Sequence, residues 1–272
     1  MRLQRKLAHP NSVRMSKLAS AIFALCSLSF LSAAEVEREM ATDRPDQTES
    51  PYTVPTGMIQ IESGLFSYTR SLDAPLRSES FEWGNLNVKL GLSTNTDLQI
   101  VWTPWTERRQ QGSPSMEGSS DLTVRAKWNL LGNDGGTVAA GLMPYVKAPT
   151  ASKGVGNGEW EGGLIVPATF QLSETWSLGT MGFAGLVADD AGDYHLEPGL
   201  SASLGCGLTE STGTYLELYG EYAGDAERDW QVALDAGLTF ALSTSLVLDI
   251  GVNWFFAGDQ QLNPFIGLSK RF

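Results

Sequence analysis

A strict period of two runs through Asp121–Leu130. Leu122, Val124, Ala126, Trp128 and Leu130 fall on one side, and Asp121, Thr123, Arg125, Lys127 and Asn129 on the other. Side chains on a strand point alternately to its two faces, so this stretch is a strand with one apolar and one polar side. The pattern recurs. Leu86, Val88, Leu90 and Leu92 alternate with Asn87, Lys89 and Gly91, and Leu98, Ile100 and Trp102 with Asp97, Gln99 and Thr103. Further on, Leu196, Leu200, Ala202 and Leu204 oppose His195, Glu197, Ser201 and Ser203, and Trp230 to Phe240 and Leu246 to Trp254 repeat it. Less regular strands are expected near 58–70, 137–148, 160–172, 176–187 and 214–223, with the facing of 176–187 ambiguous between Met181/Phe183 and Leu178/Leu186. The last strand carries Ile266, Leu268 and the terminal Phe272 on one side. The total is about twelve strands.

The connections alternate in length. Short ones fall at Ser93–Thr96, Leu131–Gly136, Ser173–Thr175, Thr209–Gly213 and Ser243–Ser245, and long ones near 70–82, 103–120, 149–159, 188–194, 224–228 and 257–261. Barrels of the outer-membrane type have short periplasmic turns and longer outer loops. The short set joins even strands to odd ones, which places both chain ends on the periplasmic side. A mean hydropathy of −0.12 looks soluble, but only every second residue of such a barrel faces lipid. A soluble sandwich or propeller also alternates. It would not account for the terminal aromatic, or for Trp102, Trp128, Trp160, Phe170, Trp230, Phe240 and Trp254 at strand ends, which match interfacial girdles. The expected fold is therefore all-β: a transmembrane antiparallel up-and-down β-barrel of about 12 strands over 58–272. Lys270 is a misfit on the lipid side, close enough to the terminus to snorkel.

Residues 1–34 read as a signal peptide. Arg2, Arg5, Lys6, Arg14 and Lys17 precede an apolar stretch from Leu18 to Leu31 and then Ser32-Ala33-Ala34, which implies cleavage near Ala34 and a bacterial outer-membrane destination. Met15 offers a second start. The whole chain has 19 basic and 31 acidic residues, and the leader takes five basic ones, so 14 face 31 and the mature charge is −17. That makes nucleic acid and anionic membrane surfaces poor partners. Cys206 is left alone, on the apolar parity, as a small wall residue. One His and one Cys are too few for zinc, no nucleotide fingerprint occurs, and no cofactor is expected. A hydrolase would need a serine in contact with His195. Ser201 and Ser203 share its face but lie ~20 Å or more along the strand, so the chain is not expected to be an enzyme.

On the polar parity Lys89, Arg125, Lys127, Lys147, Glu161, Glu197, Glu217, Glu221, Asp235 and Asp249 point into the lumen. They either pair across strands and brace the wall or set the field of a narrow pore. Tyr145, Tyr215, Tyr219 and Met143 share that side, where they either line a path for aromatic solutes or fill space. Trp105, Met116 and the Gly/Ser/Pro-rich run 112–120 fall in the longest outer loop.

Residues 35–57 are acidic, carry three prolines and have no apolar period. They are a periplasmic tail or a lumen-plugging segment. Extended, they would span at most ~80 Å, against an apolar band of about 25 Å, so they can enter the lumen. As a plug, Arg44 would pair lumen acids, and Asp43, Asp46 and Glu49 would meet Lys89, Arg125 or Lys127. Thr42-Asp43-Arg44-Pro45-Asp46-Gln47-Thr48-Glu49-Ser50-Pro51, followed by Thr53-Val54-Pro55-Thr56-Gly57-Met58-Ile59-Gln60-Ile61-Glu62, resembles the N-terminal signature of an outer-membrane family assigned to transport in the phenol meta-degradation pathway. The resemblance continues to Phe272. It implies a barrel that passes small hydrophobic or aromatic solutes inward. The expected partners are membrane lipid, the solute, and the barrel-assembly machinery acting on Phe272. The competing expectation is a non-conducting barrel that anchors surface loops for adhesion or sensing.

Overall fold

The computed structural model describes residues 38–72, 76–189, 191–223 and 229–272. The signal-peptide expectation, residues 35–37 of the expected N-terminal segment and the connection expected at 224–228 lie outside them. The strand segments are β1 (Ile59–Ser71), β2 (Ser78–Ser93), β3 (Thr96–Trp102), β4 (Trp105–Gln110), β5 (Met116–Gly118), β6 (Leu122–Leu131), β7 (Val138–Ala148), β8 (Glu161–Gln171), β9 (Trp176–Ala188), β10 (Tyr194–Gly207), β11 (Thr212–Tyr222), β12 (Trp230–Ser243), β13 (Leu246–Ala257) and β14 (Gln261–Arg271). Each pairs antiparallel with its neighbour, and β1 pairs with both β2 and β14, which closes the sheet. β4 extends β3 along β2, and β5 extends β6 along β4, so these four segments form two staves and the closed wall has twelve. This is a transmembrane antiparallel barrel. Closure is required in hydrocarbon, where a free edge would leave backbone N–H and C=O groups without partners.

The wall is inverted relative to a soluble protein. Leu216 and Leu218 are each 53 % exposed, while Glu217 between them is 0 % exposed. Apolar side chains cover the outside and polar ones fill the inside. On β12 the girdle residues Trp230 and Phe240 are ten positions apart. At ~3.3 Å per residue and a tilt of ~40° they are separated by ~25 Å along the barrel axis, the height of the apolar band. The facing of β9 is settled: Met181 is buried inside, and Leu186 is outside. Lys270 donates to Ser245 Oγ at 2.8 Å in the adjoining turn and lies over the Phe272 ring.

One expectation is corrected. The stretches 70–82 and 103–120 are not simply long loops, because they contain the outer half of β2, β4 and β5. Pairing between β1 and β2 passes from Gly64/Asn85 to Phe66/Trp83, skipping Leu65 and Gly84. Gly84 adopts a φ of +66°, which glycine alone takes without strain. Pro104 has no N–H for the ladder, and Thr103 instead donates to Ser120 Oγ at 2.8 Å. The insertions reverse which parity faces out, so Trp83 and Trp105 point outward beside each other. The alternation beyond these points is out of phase with the rest of the chain and reads as irregular. Those staves stand taller than their neighbours on the outer side.

Candidate functional site

The segment 38–57 lies inside the barrel. It enters at the end with the short turns, where the Arg271 guanidinium donates to the carbonyls of Arg38 and Glu39. It rises to a tip at Gln47–Thr48 and returns to the same end, where Gly57 N–H donates to the Gly91 carbonyl at 2.9 Å. Pro45, Pro51 and Pro55 keep it from adding to a sheet. Its shape is held from within by Asp43, whose Oδ1 accepts the Ser50 N–H at 3.0 Å.

The rising leg is fixed by charge. Asp43 meets both Lys89 of β2 and Lys127 of β6, the latter at 2.5 Å, and Lys89 also meets Glu62 of β1. Arg44 makes two hydrogen bonds to Asp249 of β13, at 3.2 and 2.8 Å, with its guanidinium over the Phe265 ring. The tip is fixed by carboxylates of the wall. Glu217 of β11 accepts the N–H groups of Gln47 and Thr48, each at 2.8 Å, and the Thr48 hydroxyl. Asp235 of β12 accepts the Gln47 side-chain amide at 2.6 Å, and Thr48 contacts Ser201 of β10. On the far side Glu49 pairs with Arg125 of β6. The descending leg is held by Asn129, which donates to the Pro51 carbonyl, and by Asp97, which accepts the Val54 N–H.

Glycine makes room for this. A Cβ on Gly91 would lie 2.0 Å from the Pro55 carbonyl oxygen. Gly91 is on the inward parity, where a side chain would fill the space that the segment occupies.

Residues 42–263 match the family described as "Putative MetA-pathway of phenol degradation". The chain belongs to that family. The match begins within the lumenal segment and runs into β14, so the family covers that segment and the wall together. No curated protein matches the chain. Among solved structures, an outer-membrane channel from Pseudomonas putida F1 is similar at a TM-score of 0.65 and 15 % identity, over 81 % of this chain and 97 % of that one. The NanC porin is similar at a TM-score of 0.51 and 10 % identity, over 78 % and 98 %. At these identities the likeness is one of fold.

Two cavities flank the tip of the family's lumenal segment. The outer one, about 310 Å³, is lined by Gln47, Glu49, Thr123, Arg125, Tyr145, Ile165, Met181, Phe183 and Tyr219. Phe183 stacks on Tyr219 at 5.7 Å between centroids, and Phe255 meets Tyr219 edge-on. The Tyr219 hydroxyl donates to Glu221 at 2.7 Å, which leaves the ring to face the cavity. The inner one, about 210 Å³, lies toward the short turns and is lined by Pro45, Asp46, Tyr215 and small wall residues.

Titration behaviour in the segment follows burial and neighbours. Burial, reinforced by the Glu217 charge, pushes the Asp46 carboxyl up to about 7. Burial also carries Glu49 up to about 7, outweighing the Arg125 guanidinium beside it. For Asp43 burial acts the same way, but the Lys127 and Lys89 ammonium groups together overcome it and hold the carboxyl far below the usual range.

The structure brings Asp43, Lys89 and Lys127 together, Glu49 with Arg125, and Arg44 with a lumen acid. Asp46 differs from expectation: it meets no lysine or arginine of that set, but bonds Ser203 close to Glu217. The reason is reach, since the bases stand on β2 and β6 and Asp46 faces β10 and β11. Tyr145 and Tyr219 line the outer cavity and Tyr215 the inner one. His195 and Glu197 pair with each other at 3.0 Å, away from Ser201, which is engaged by Thr48. Gln47, Thr48, Met181 and Phe183 were not singled out by the sequence. Gln47 and Thr48 carry no charge to flag them, and the Met181–Phe183 stretch is ambiguous in period.

Proposed function

We propose that the mature protein is an outer-membrane channel for passive inward passage of small, apolar or aromatic solutes, with residues 38–57 as its plug. The observation that carries this reading is the outer cavity. Its walls are largely aromatic, aliphatic and thioether, which is unusual in a lumen otherwise packed with charges. Its volume of about 310 Å³ exceeds the ~150 Å³ that accommodates benzene in an engineered cavity. Aromatic walls favour flat apolar rings through stacking geometry. The family description points the same way. The barrel fold supports an outer-membrane location after leader cleavage near Ala34. An exposed Phe272 side chain, with its backbone paired to Ile59, supports recognition by the barrel-assembly machinery. The lumenal serine and histidine contacts are separate, which supports a transport role over a hydrolytic one.

The test is flux of small aromatic and aliphatic probes into proteoliposomes, against protein-free vesicles. Flux above the control is expected. A correctly folded barrel that passes none of the probes, yet binds ligands through its outer loops, would replace the channel with a surface anchor.

A further inference from the structure

The two cavities are separated by a single layer. On β11, Tyr215 lines the inner cavity and Tyr219 the outer one, and Glu217 between them holds the plug tip. Four residues of strand span ~13 Å, so the partition is about one side chain thick. Beside the uncharged Gln47, Thr48 and Ser201, its ionisable groups are Glu217 and its cross-strand partner Asp235, with Asp46 from the plug next to them. All three are acids. The ion pairs of the lumen lie elsewhere: Lys89 and Lys127 on Asp43, Arg125 on Glu49, and Arg44 on Asp249.

A second observation is independent of this charge count. Asp235 Oδ1 and the Tyr215 hydroxyl are buried with no hydrogen-bond partner among the described residues. Asp235 is 0 % exposed and Tyr215 7 %. Buried polar atoms are normally satisfied, and an orphan calls for an explanation. Glu49 Oε2, at the floor of the outer cavity, is a third such atom. Carboxyl oxygens without donors therefore mark the partition at Asp235 and the outer cavity at Glu49, and the Tyr215 hydroxyl on the inner side is free to donate or to accept. A visitor with positive charge or with O–H or N–H groups would satisfy the two carboxyl oxygens. A carboxylate would bring a negative charge and more acceptors to a site whose acids already lack donors, and like charges repel strongly at low dielectric.

We propose that this partition is a cation-selecting constriction with Glu217 and Asp235 as its specificity-determining residues. Cations and hydrogen-bond donors cross it, and carboxylates are turned away. Acidic side chains confer cation selectivity on pores in general. The inference rests on the channel reading and adds to it the sign of charge that is admitted.

The experiment is a reversal-potential measurement in planar bilayers under a potassium chloride gradient, using the mature protein. Potassium is expected to permeate several-fold better than chloride. The ratio should fall toward unity in Asp235→Asn and in Glu217→Gln, and stay unchanged in Glu210→Gln, which alters an exposed acid outside the partition. Heat-modifiable gel mobility confirms folding, and Asp235→Asn, nearly isosteric, decides the matter where Glu217→Gln does not fold. A native ratio at or below unity, or one that Asp235→Asn leaves intact, overturns the constriction while the channel stands. Absence of both current and solute flux overturns the channel reading, and this inference with it.

Discussion

Arg44 occupies the space that a side chain at Gly267 would need: a Cβ there would stand 2.3 Å from its Nη2. Across the strand pair, a Cβ on Gly64 would be 3.2 Å from Nη1 of the same guanidinium. The two glycines form a cradle for Arg44. Gly267→Val should therefore expel it and strand Asp249 without its cation. Removing one partner of a buried pair costs about 3–5 kcal/mol, enough to undock the rising leg. Single-channel conductance should increase several-fold while heat-modifiable mobility of the barrel persists. Unchanged conductance would mean that the cradle does not hold the plug.

Asp43 is the node of the lower plug, joining Lys89, Lys127 and the Ser50 N–H. Asp43→Asn keeps the shape and removes the charge. Lys89 retains Glu62, so Lys127 bears most of the loss. Limited proteolysis from the periplasmic face should cut the segment several-fold faster than in the native protein. An unaltered cleavage rate would assign the node no role in retention.

Plug docking should weaken as the medium becomes alkaline. Asp46 and Glu49 are held up to about 7 when docked, whereas free carboxyls titrate near ~4. They bind a proton better docked, so their favourable contribution is complete below the free value and is lost as pH rises through about 7. Asp43 is shifted the other way and loses its contribution only in strong acid. Conductance should thus rise between about pH 5 and 9, and Asp46→Asn with Glu49→Gln should flatten the rise. A profile that falls over this range would contradict the assignment.

Phe183→Ala should remove the stacking partner of Tyr219 and widen the outer cavity. An aromatic pair contributes about 0.5–1.5 kcal/mol beyond burial, which corresponds to a few-fold change in binding. Transport of aromatic probes should lose concentration-dependent saturation or shift its half-saturation a few-fold upward, with little effect on potassium current. Equal changes in both would assign Phe183 to the wall alone.

Phe272→Ala should lower the yield of folded barrel in the envelope, read as the heat-modifiable fraction, without altering the conductance of those barrels that form. The side chain is 67 % exposed and contributes little packing, so a reduced yield points to recognition during assembly.

Much of this was legible in the alternation. Leu216, Glu217 and Leu218 face as their parity dictates, because one solvent contacts each side and a slip of one residue would reverse every contact. The parity could not reveal Leu65, Gly84 and Pro104 as insertions. Each reverses the facing locally, so β4 and β5 resemble a loop rich in charge. The pairing of Asp43 with bases, of Glu49 with Arg125 and of Arg44 with an acid was accessible from charge alone, whereas the position of Asp46 was not. Its neighbours depend on how far the chain climbs before it turns back at Gln47–Thr48, a distance that no local pattern encodes. The aromatic lining was half visible: Tyr145, Tyr215 and Tyr219 share the inward parity even on less regular strands, whereas the facing of the strand that carries Phe183 is ambiguous.

Both legs of the lumenal segment leave by the rim that bears the short turns. Such a bight can be withdrawn and reseated without any free end passing through the bore. Each opening leaves the stopper tethered on the cell side, at a local concentration set by a few residues of slack, so reclosure needs no partner and nothing is lost to the surroundings.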